Sequence, residues 1–144
     1  MQHIKLPVAV HLFLLKDDKI LLSRRYNTGF QDGNYSVVAG HIDGGETIKQ
    51  AMIREALEEA NIILDICKLE IVQVMHRKTS MEERIDYFLF ANEWAGELKN
   101  NELDKCDDLR WFAMDKLPDN MVGYVIHALK CYVKGISFSD YGWQ

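Results

Sequence analysis

Glu55, Glu58 and Glu59 stand at i, i+3 and i+4 in a stretch with helical apolar spacing. On a helix those positions share one face. Three carboxylates crowded there repel, each like-charged pair costing roughly 0.2–0.5 kcal/mol. A hard divalent cation removes that cost, and Mg²⁺ takes a few carboxylates together with waters and substrate phosphates. Mn²⁺ suits the same oxygen ligands. Just upstream lies a glycine-rich turn, His41-Ile42-Asp43-Gly44-Gly45. Glycine lets backbone approach a ligand closely, and a helix start offers free N–H groups to an anion. Phosphate beside metal is the chemistry this pattern predicts. The plain alternative is a solvated acidic helix face, because short patterns match by chance.

The spacing of the longer segment reads Gly40, five residues, Glu46, seven residues, then Arg54-Glu55-Ala56-Leu57-Glu58-Glu59-Ala60-Asn61-Ile62. It resembles the Nudix box, G-x5-E-x7-R-E-U-x-E-E-x-G-U, where U is aliphatic. Every Gly, Arg and Glu position before the final glycine matches. The departures are Asn61 for that glycine, Ala56 for a larger aliphatic, and Ala39 and His41 beside Gly40. Asn is the next best residue at a left-handed helix end. The resemblance implies a Nudix-like α/β/α sandwich over most of the chain. It also implies roles. Glu58 and Glu59 are the principal metal ligands, Glu55 a further ligand or the base, and the Gly40 carbonyl also faces the metal. Arg54 orients the glutamates, and Glu46 braces the loop–helix junction.

The implied activity is hydrolysis of a nucleoside diphosphate linked to another group. Metal neutralises phosphate oxygens and lowers the pKa of water, and a carboxylate takes the proton as general base. That base often lies outside the box. Trp94-Ala95-Gly96-Glu97 is similar to the W-x-G-E run of mutator-type nucleoside triphosphate pyrophosphohydrolases, which makes Glu97 a candidate ligand or base. Glu102 in the same loop is its rival, and Glu55 stands behind both. Pro118-Asp119-Asn120 resembles the place where that branch carries a base-reading asparagine, although a helix N-cap explains Asn120 equally. Arg25 matches an arginine near the nucleotide, and His41 beside the glycine turn is a candidate phosphate contact. Phe30, Tyr35, Tyr87 and Trp111 can stack on a base, although aromatics at strand positions usually belong to the core.

Three readings follow. A metal-dependent hydrolase cleaves a nucleoside triphosphate to monophosphate and pyrophosphate. A hydrolase of the same fold takes a nucleotide sugar or another X-linked diphosphate. A non-hydrolysing domain binds a nucleotide, a reading that the full glutamate set disfavours. No proline falls between Pro7 and Pro118. That absence argues against the proline-rich signatures of ADP-ribose and NADH pyrophosphatases. No tyrosine follows the box before Tyr87, which argues against diadenosine polyphosphates.

The elements that must position these residues alternate between strand and helix periods. Val8–Leu15 and Ile20–Arg24 flank the polar turn Lys16-Asp17-Asp18-Lys19 and read as a hairpin. Arg25–Asn34 reads as a loop and Tyr35–Ala39 as a short strand. Glu46–Asn61 is the helix, with Met52, Ile53, Ala56, Leu57 and Ala60 on its apolar side. Leu69–His76 and Ile85–Phe90 form a second hairpin about Thr79–Glu83. Trp94–Asp108 is a polar loop and Leu109–Met114 a strand. Asp119 or Asn120 caps a last helix whose core side is Val122, Val125, Ile126, Leu129 and Val133. The order ββ–β–α–ββ–β–α predicts an α/β (α+β) fold, a mixed sheet flanked by helices.

A length of 144 residues predicts one domain over residues 1–144. Hydrophobic residues at 48% and charged residues at 27% place it among globular chains. A net charge of −5 disfavours nucleic acid as a partner and leaves a small-molecule nucleotide as substrate. No apolar run is long enough to span a membrane, and no leader pattern opens the chain, so the expected location is cytoplasmic. Cys67, Cys106 and Cys131 are odd in number and widely spaced, as for free thiols in a reducing compartment. A monomer and a homodimer are both compatible with the sequence.

Overall fold

The computed structural model describes residues 2–144. Its strands are β1 (Val8–Lys16), β2 (Lys19–Arg25), β3 (Tyr35–Ser36), β4 (Ala39–His41), β5 (Glu70–Lys78), β6 (Glu83–Ala91), β7 (Cys106–Ala113) and β8 (Phe138–Tyr141). The helices are α1 (Ile48–Ala60) and α2 (Gly123–Val133), and Ile66–Lys68 forms one 3₁₀ turn.

β1 organises the sheet. It runs parallel to β6 from Val8↔Ile85 to Leu14↔Ala91. Its other edge is shared, β4 pairing with Ala9–His11 and β2 with Leu15 and Lys16, both antiparallel. β6 continues to β5 and then to β8, while β2 carries β3 and β7. Alternation along β1 sends side chains to two cores. Val10, Leu12 and Leu14 face α1, meeting Met52, Ala56 and Ala60. Phe13 faces α2, meeting Phe88, Val125 and Leu129. The sheet therefore lies between two helices as an α/β/α sandwich. Full burial of each large side chain in these cores stabilises by roughly 1.5–3 kcal/mol.

α1 begins later than Glu46 because Thr47 caps it. The Thr47 Oγ1 accepts from the Gln50 amide, and the Gln50 Oε1 accepts from the Thr47 amide, satisfying two orphan donors at once. Asn61 ends the helix with φ 60° and ψ 26°, a left-handed turn that asparagine tolerates. The buried stripe is Ala51, Met52, Ala56 and Ala60. Leu57, expected inside, is exposed.

Other expectations also need correction. Tyr35–Ala39 is two short strands with different partners, β3 on β2 and β4 on β1. Part of the expected loop is strand, since β7 starts at Cys106. The N-cap of α2 is Val122, with no side-chain cap bond, so neither Asp119 nor Asn120 caps it. Val133 is exposed. β8 was not expected, and it pairs parallel with β5. No helix among the described residues is long and apolar enough to cross a membrane. The three cysteines are free, with Cys67 exposed and the other two buried.

Candidate active site

The acidic face of α1 is organised by Arg54. Its Nε and Nη2 donate to the two Glu46 oxygens at 3.1 and 2.7 Å, a bidentate geometry that only arginine offers. Nη2 also donates to the His41 carbonyl at 3.1 Å, and Nη1 to Glu55 at 2.8 Å. Glu58 lies farther from Nη1, at 3.5 Å. Arg54 thus holds the turn, the helix and two box glutamates together. The guanidinium, helped by the Asp43 amide, holds Glu46 down to about 2.

Glu55 and Glu59 point the other way, toward β4. A Cβ built on Gly40 would fall inside the Glu55 carboxylate, so any larger residue would have to push that carboxylate aside. Glu59 Oε1 accepts from the Ala39 amide at 3.4 Å. Burial, and then the adjoining Glu55 carboxylate, push Glu59 up to about 10. Burial and the adjoining Glu55 thus favour the protonated form of Glu59, a cost that a bound cation would remove. Side-chain exposure is 13% for Glu55 and 55% for Glu58. Among the described residues no three His, Cys, Asp or Glu side chains are grouped so as to hold a metal ion as they stand. A Glu55–Glu59 pair on a glycine cradle, with Glu58 one turn away, suits a metal that takes few carboxylates and keeps room for water and phosphate.

The loop after β6 wraps the end of α1. The Lys99 amide donates to Ala60 O, the Asn101 amide to Glu59 O, and Asn61 Nδ2 to Glu97 O. Gly96 sits against the Asn61 carbonyl with φ 88°, and a Cβ there would collide with it. This wrapping brings Glu102 to the site. It lines a cleft of about 200 Å³ together with Glu59 and Ala39. Burial, then Asp104, Glu55 and Glu58, raise the Glu102 carboxyl above its usual range. Glu97 is exposed and does not line that cleft.

The substrate candidates are scattered. Arg25 lines the cleft, with Nε donating to Phe30 O at 2.6 Å. The His41 ring turns to the opposite face, where Arg84 Nη2 donates to Nε2 at 2.7 Å. Asn120 Nδ2 donates to Gly33 O at 2.9 Å, outside the cleft. The helix start, expected beside the metal, lies roughly 15 Å along α1 from Glu59 at 1.5 Å per residue. Its donors serve the Thr47 capping box.

Sequence reasoning missed a polar cluster on the α2 side of β1. His11 Nδ1–H donates to Tyr87 O at 3.2 Å, and Tyr124 O–H donates to Nε2 at 3.0 Å. Asp86 receives Arg77 at 2.6 Å, and the Arg77 guanidinium lies 3.6 Å above the Tyr124 ring. The available signal was polar residues inside apolar strands. It also missed Lys105 in the cleft wall, because nothing local distinguishes one loop lysine from another.

Comparison with known proteins gives the same picture. The NUDIX domain model matches residues 5–128. An ADP-ribose pyrophosphatase from Methanocaldococcus jannaschii is 31% identical over 111 residues, covering 77% of this chain and 64% of the relative. An NAD-capped RNA hydrolase NudC from Pseudomonas aeruginosa is 27% identical over 117 residues, covering 81% of this chain. The match spans only 40% of that NudC's length. The crystal structure of a MutT NUDIX hydrolase from Burkholderia pseudomallei superposes with a TM-score of 0.81 at 26% identity, covering 88% of this chain and 98% of that one. With the box glutamates gathered about Arg54 and Gly40 and residues 5–128 matched by the domain model, the chain belongs to the Nudix hydrolase family.

Proposed function

We propose that the chain hydrolyses a nucleoside triphosphate to the monophosphate and pyrophosphate, using a divalent metal, Mg²⁺ or Mn²⁺. Glu55, Glu58, Glu59 and the Gly40 carbonyl would hold that metal. The observation that carries this reading is the Glu55 carboxylate against Gly40 beside Glu59, which with Ala39 lines the cleft. Bound there, the metal supplies charge neutralisation at phosphate oxygens and a more acidic water. The chain's own residues do the rest. Arg54 fixes Glu55 and steadies Glu58. Water oxygen bonds to the α-phosphorus, the α–β bridging P–O bond breaks, and its electron pair leaves with the pyrophosphate. Glu102 is the better placed acceptor for the water's proton, since it faces the cleft. Glu97 is the alternative. Arg25, which lines the cleft, is the substrate contact offered first, and His41 and Asn120 would serve only by leaving their bonds to Arg84 and Gly33.

A second reading takes a nucleoside diphosphate linked to another group. The names of the two curated relatives, one an ADP-ribose pyrophosphatase and the other an NAD-capped RNA hydrolase, support it. A Mg²⁺-dependent hydrolysis screen separates the two. It compares nucleoside triphosphates, ADP-ribose, NAD, a nucleotide sugar and NAD-capped RNA, reading pyrophosphate and monophosphate. The first reading expects pyrophosphate from a triphosphate as the leading signal. Leading turnover of an X-linked diphosphate would replace it with the second. Near wild-type turnover in both Glu58→Gln and Glu59→Gln would refute the metal assignment. Loss of a positioned base costs roughly 10²–10⁴-fold, so Glu102→Ala and Glu97→Ala identify the acceptor.

A further inference from the structure

His41 is gripped from two sides. From α1, Arg54 Nη2 donates to its carbonyl at 3.1 Å. From β6, Arg84 Nη2 donates to its ring Nε2 at 2.7 Å. Arginine has no acceptor, so Nε2 accepts and the neutral ring carries its proton on Nδ1. β4 and β6 are not neighbours, because β1 lies between them. Neighbouring strands stand about 4.8 Å apart, so Arg84 crosses roughly two such spacings to reach His41. The β1 residue opposite His41 is Ala9, a small side chain that leaves room for the arginine stem.

The reach is costly. Arg84 Nε is buried with no partner among the described residues, and an unmet buried donor destabilises. Arg77 stands directly opposite on β5, and like charges so placed repel. Arg77 gives its charge to Asp86, whereas Arg84 has the half-exposed Glu82 at 3.1 Å. A guanidinium turned fully to Glu82 and water would escape the unmet donor, yet it lies inward on His41. What it holds there is a weak element. β4 has three residues, and three pairs join it to β1. Its middle residue is Gly40.

We propose that Arg84 is a positioning residue for the metal site: through the His41 ring it fixes the peptide joining Gly40 to His41, and with it the Gly40 carbonyl offered to the metal. Arg84 touches neither metal nor substrate in this role. The proposal rests on the metal reading above.

The test measures Mg²⁺ binding by calorimetry on wild type, Arg84→Met, His41→Leu, His41→Gln and the double variant Arg84→Met/His41→Leu, each checked by its melting temperature. Arg84→Met and His41→Leu should each weaken binding by about 10–100-fold, the usual effect of losing a group that orients a metal ligand. The double variant should bind no worse than either single, because both remove one bond. His41→Gln offers an acceptor at similar reach and should restore most of the affinity. In the metal-free chain, Arg84→Met should speed amide exchange over residues 39–42 and shift the ring nitrogen resonances of His41. At saturating Mg²⁺ the KM for nucleotide should hold while kcat falls. Wild-type affinity in Arg84→Met, or additive losses in the double variant, would overturn the proposal and leave the metal reading standing. A raised KM with unchanged Mg²⁺ affinity would make Arg84 a substrate contact and overturn it as well. A wild type that binds no Mg²⁺ would refute the metal reading and this proposal together. If Arg84→Met does not fold, His41→Leu against His41→Gln decides.

Discussion

His11 should make this fold sensitive to acid. The ring is buried on β1, stacked 4.5 Å from Phe88, and satisfied as a neutral imidazole by Tyr87 O and Tyr124 O–H. Asp86 lies 3.7 Å away and favours the charged form. Burial opposes it more strongly, with Arg77 and Arg84 adding repulsion, and the pKa falls from 6.5 to about 4. The sign follows from proton binding. Below pH 6.5 the unfolded chain takes up a proton that the folded chain refuses, so unfolding gains as pH falls. The loss stops near pH 4, where the folded ring also titrates. At 1.36 kcal/mol per pH unit the whole window is worth about 3 kcal/mol, a large share of a typical stability of about 5–15 kcal/mol. The perturbation is His11→Gln, which keeps hydrogen-bonding groups and cannot titrate. At pH 7.5 the variant should be less stable by about 1–3 kcal/mol, through imperfect satisfaction of buried partners. Urea unfolding from pH 7.5 to 4 should show this deficit shrinking by about 3 kcal/mol and reversing near the acid end. Carboxylates common to both proteins cancel in the difference. Two parallel stability–pH curves would refute the reasoning.

Gly40→Ala should leave β4 paired with β1 but force the Glu55 carboxylate aside, weakening Mg²⁺ binding at least tenfold by calorimetry while far-ultraviolet dichroism is unchanged, on the order of one lost charged interaction. Glu59→Gln should raise the metal-free melting temperature. The gain should be larger at pH 8 than at pH 5, because the unfolded Glu59 ionises above about 4.5 while the folded one resists until about 10. An equal effect at both pH values would show that Glu59 is not held protonated. Asn120→Asp removes the amide that serves Gly33 and could serve a base. If Asn120 reads the base, the ranking of purine and pyrimidine triphosphates changes, and an unchanged ranking confines Asn120 to bracing the loop.

The sandwich and its acidic helix were legible because they rest on local spacing. Met52, Ala56 and Ala60 repeat at helical intervals. The capping box of Thr47 and Gln50, which starts the helix at Ile48, was passed over in placing its start at Glu46. What could not be read is what depends on distant partners. Tyr35–Ala39 looks like one strand until β2 and β1 each claim a part of it. Phe138–Tyr141 becomes a strand only through parallel pairing with β5. Arg54 was expected to orient the glutamates, and which of them it holds depends on the turn, since its shorter bonds go to Glu46 and Glu55 and only a 3.5 Å one to Glu58. The resemblance pointed to Glu97 with Glu102 as its rival in the same loop, and that only Glu102 lines the cleft depends on the path of the loop around α1.

The loop that wraps the end of α1 has a mechanical consequence. Helix ends normally fray, because their last carbonyls lack intrahelical partners. Here Lys99 and Asn101 supply donors to Ala60 and Glu59, and Asn61 reaches back to Glu97. The terminal turn and the segment bearing Glu102 are therefore one hinged unit, zipped or unzipped together. When warming loosens that zipper, the carboxylates of both halves separate at once, before either core gives way. Heat should therefore silence this protein as a catalyst some degrees below the temperature at which it melts.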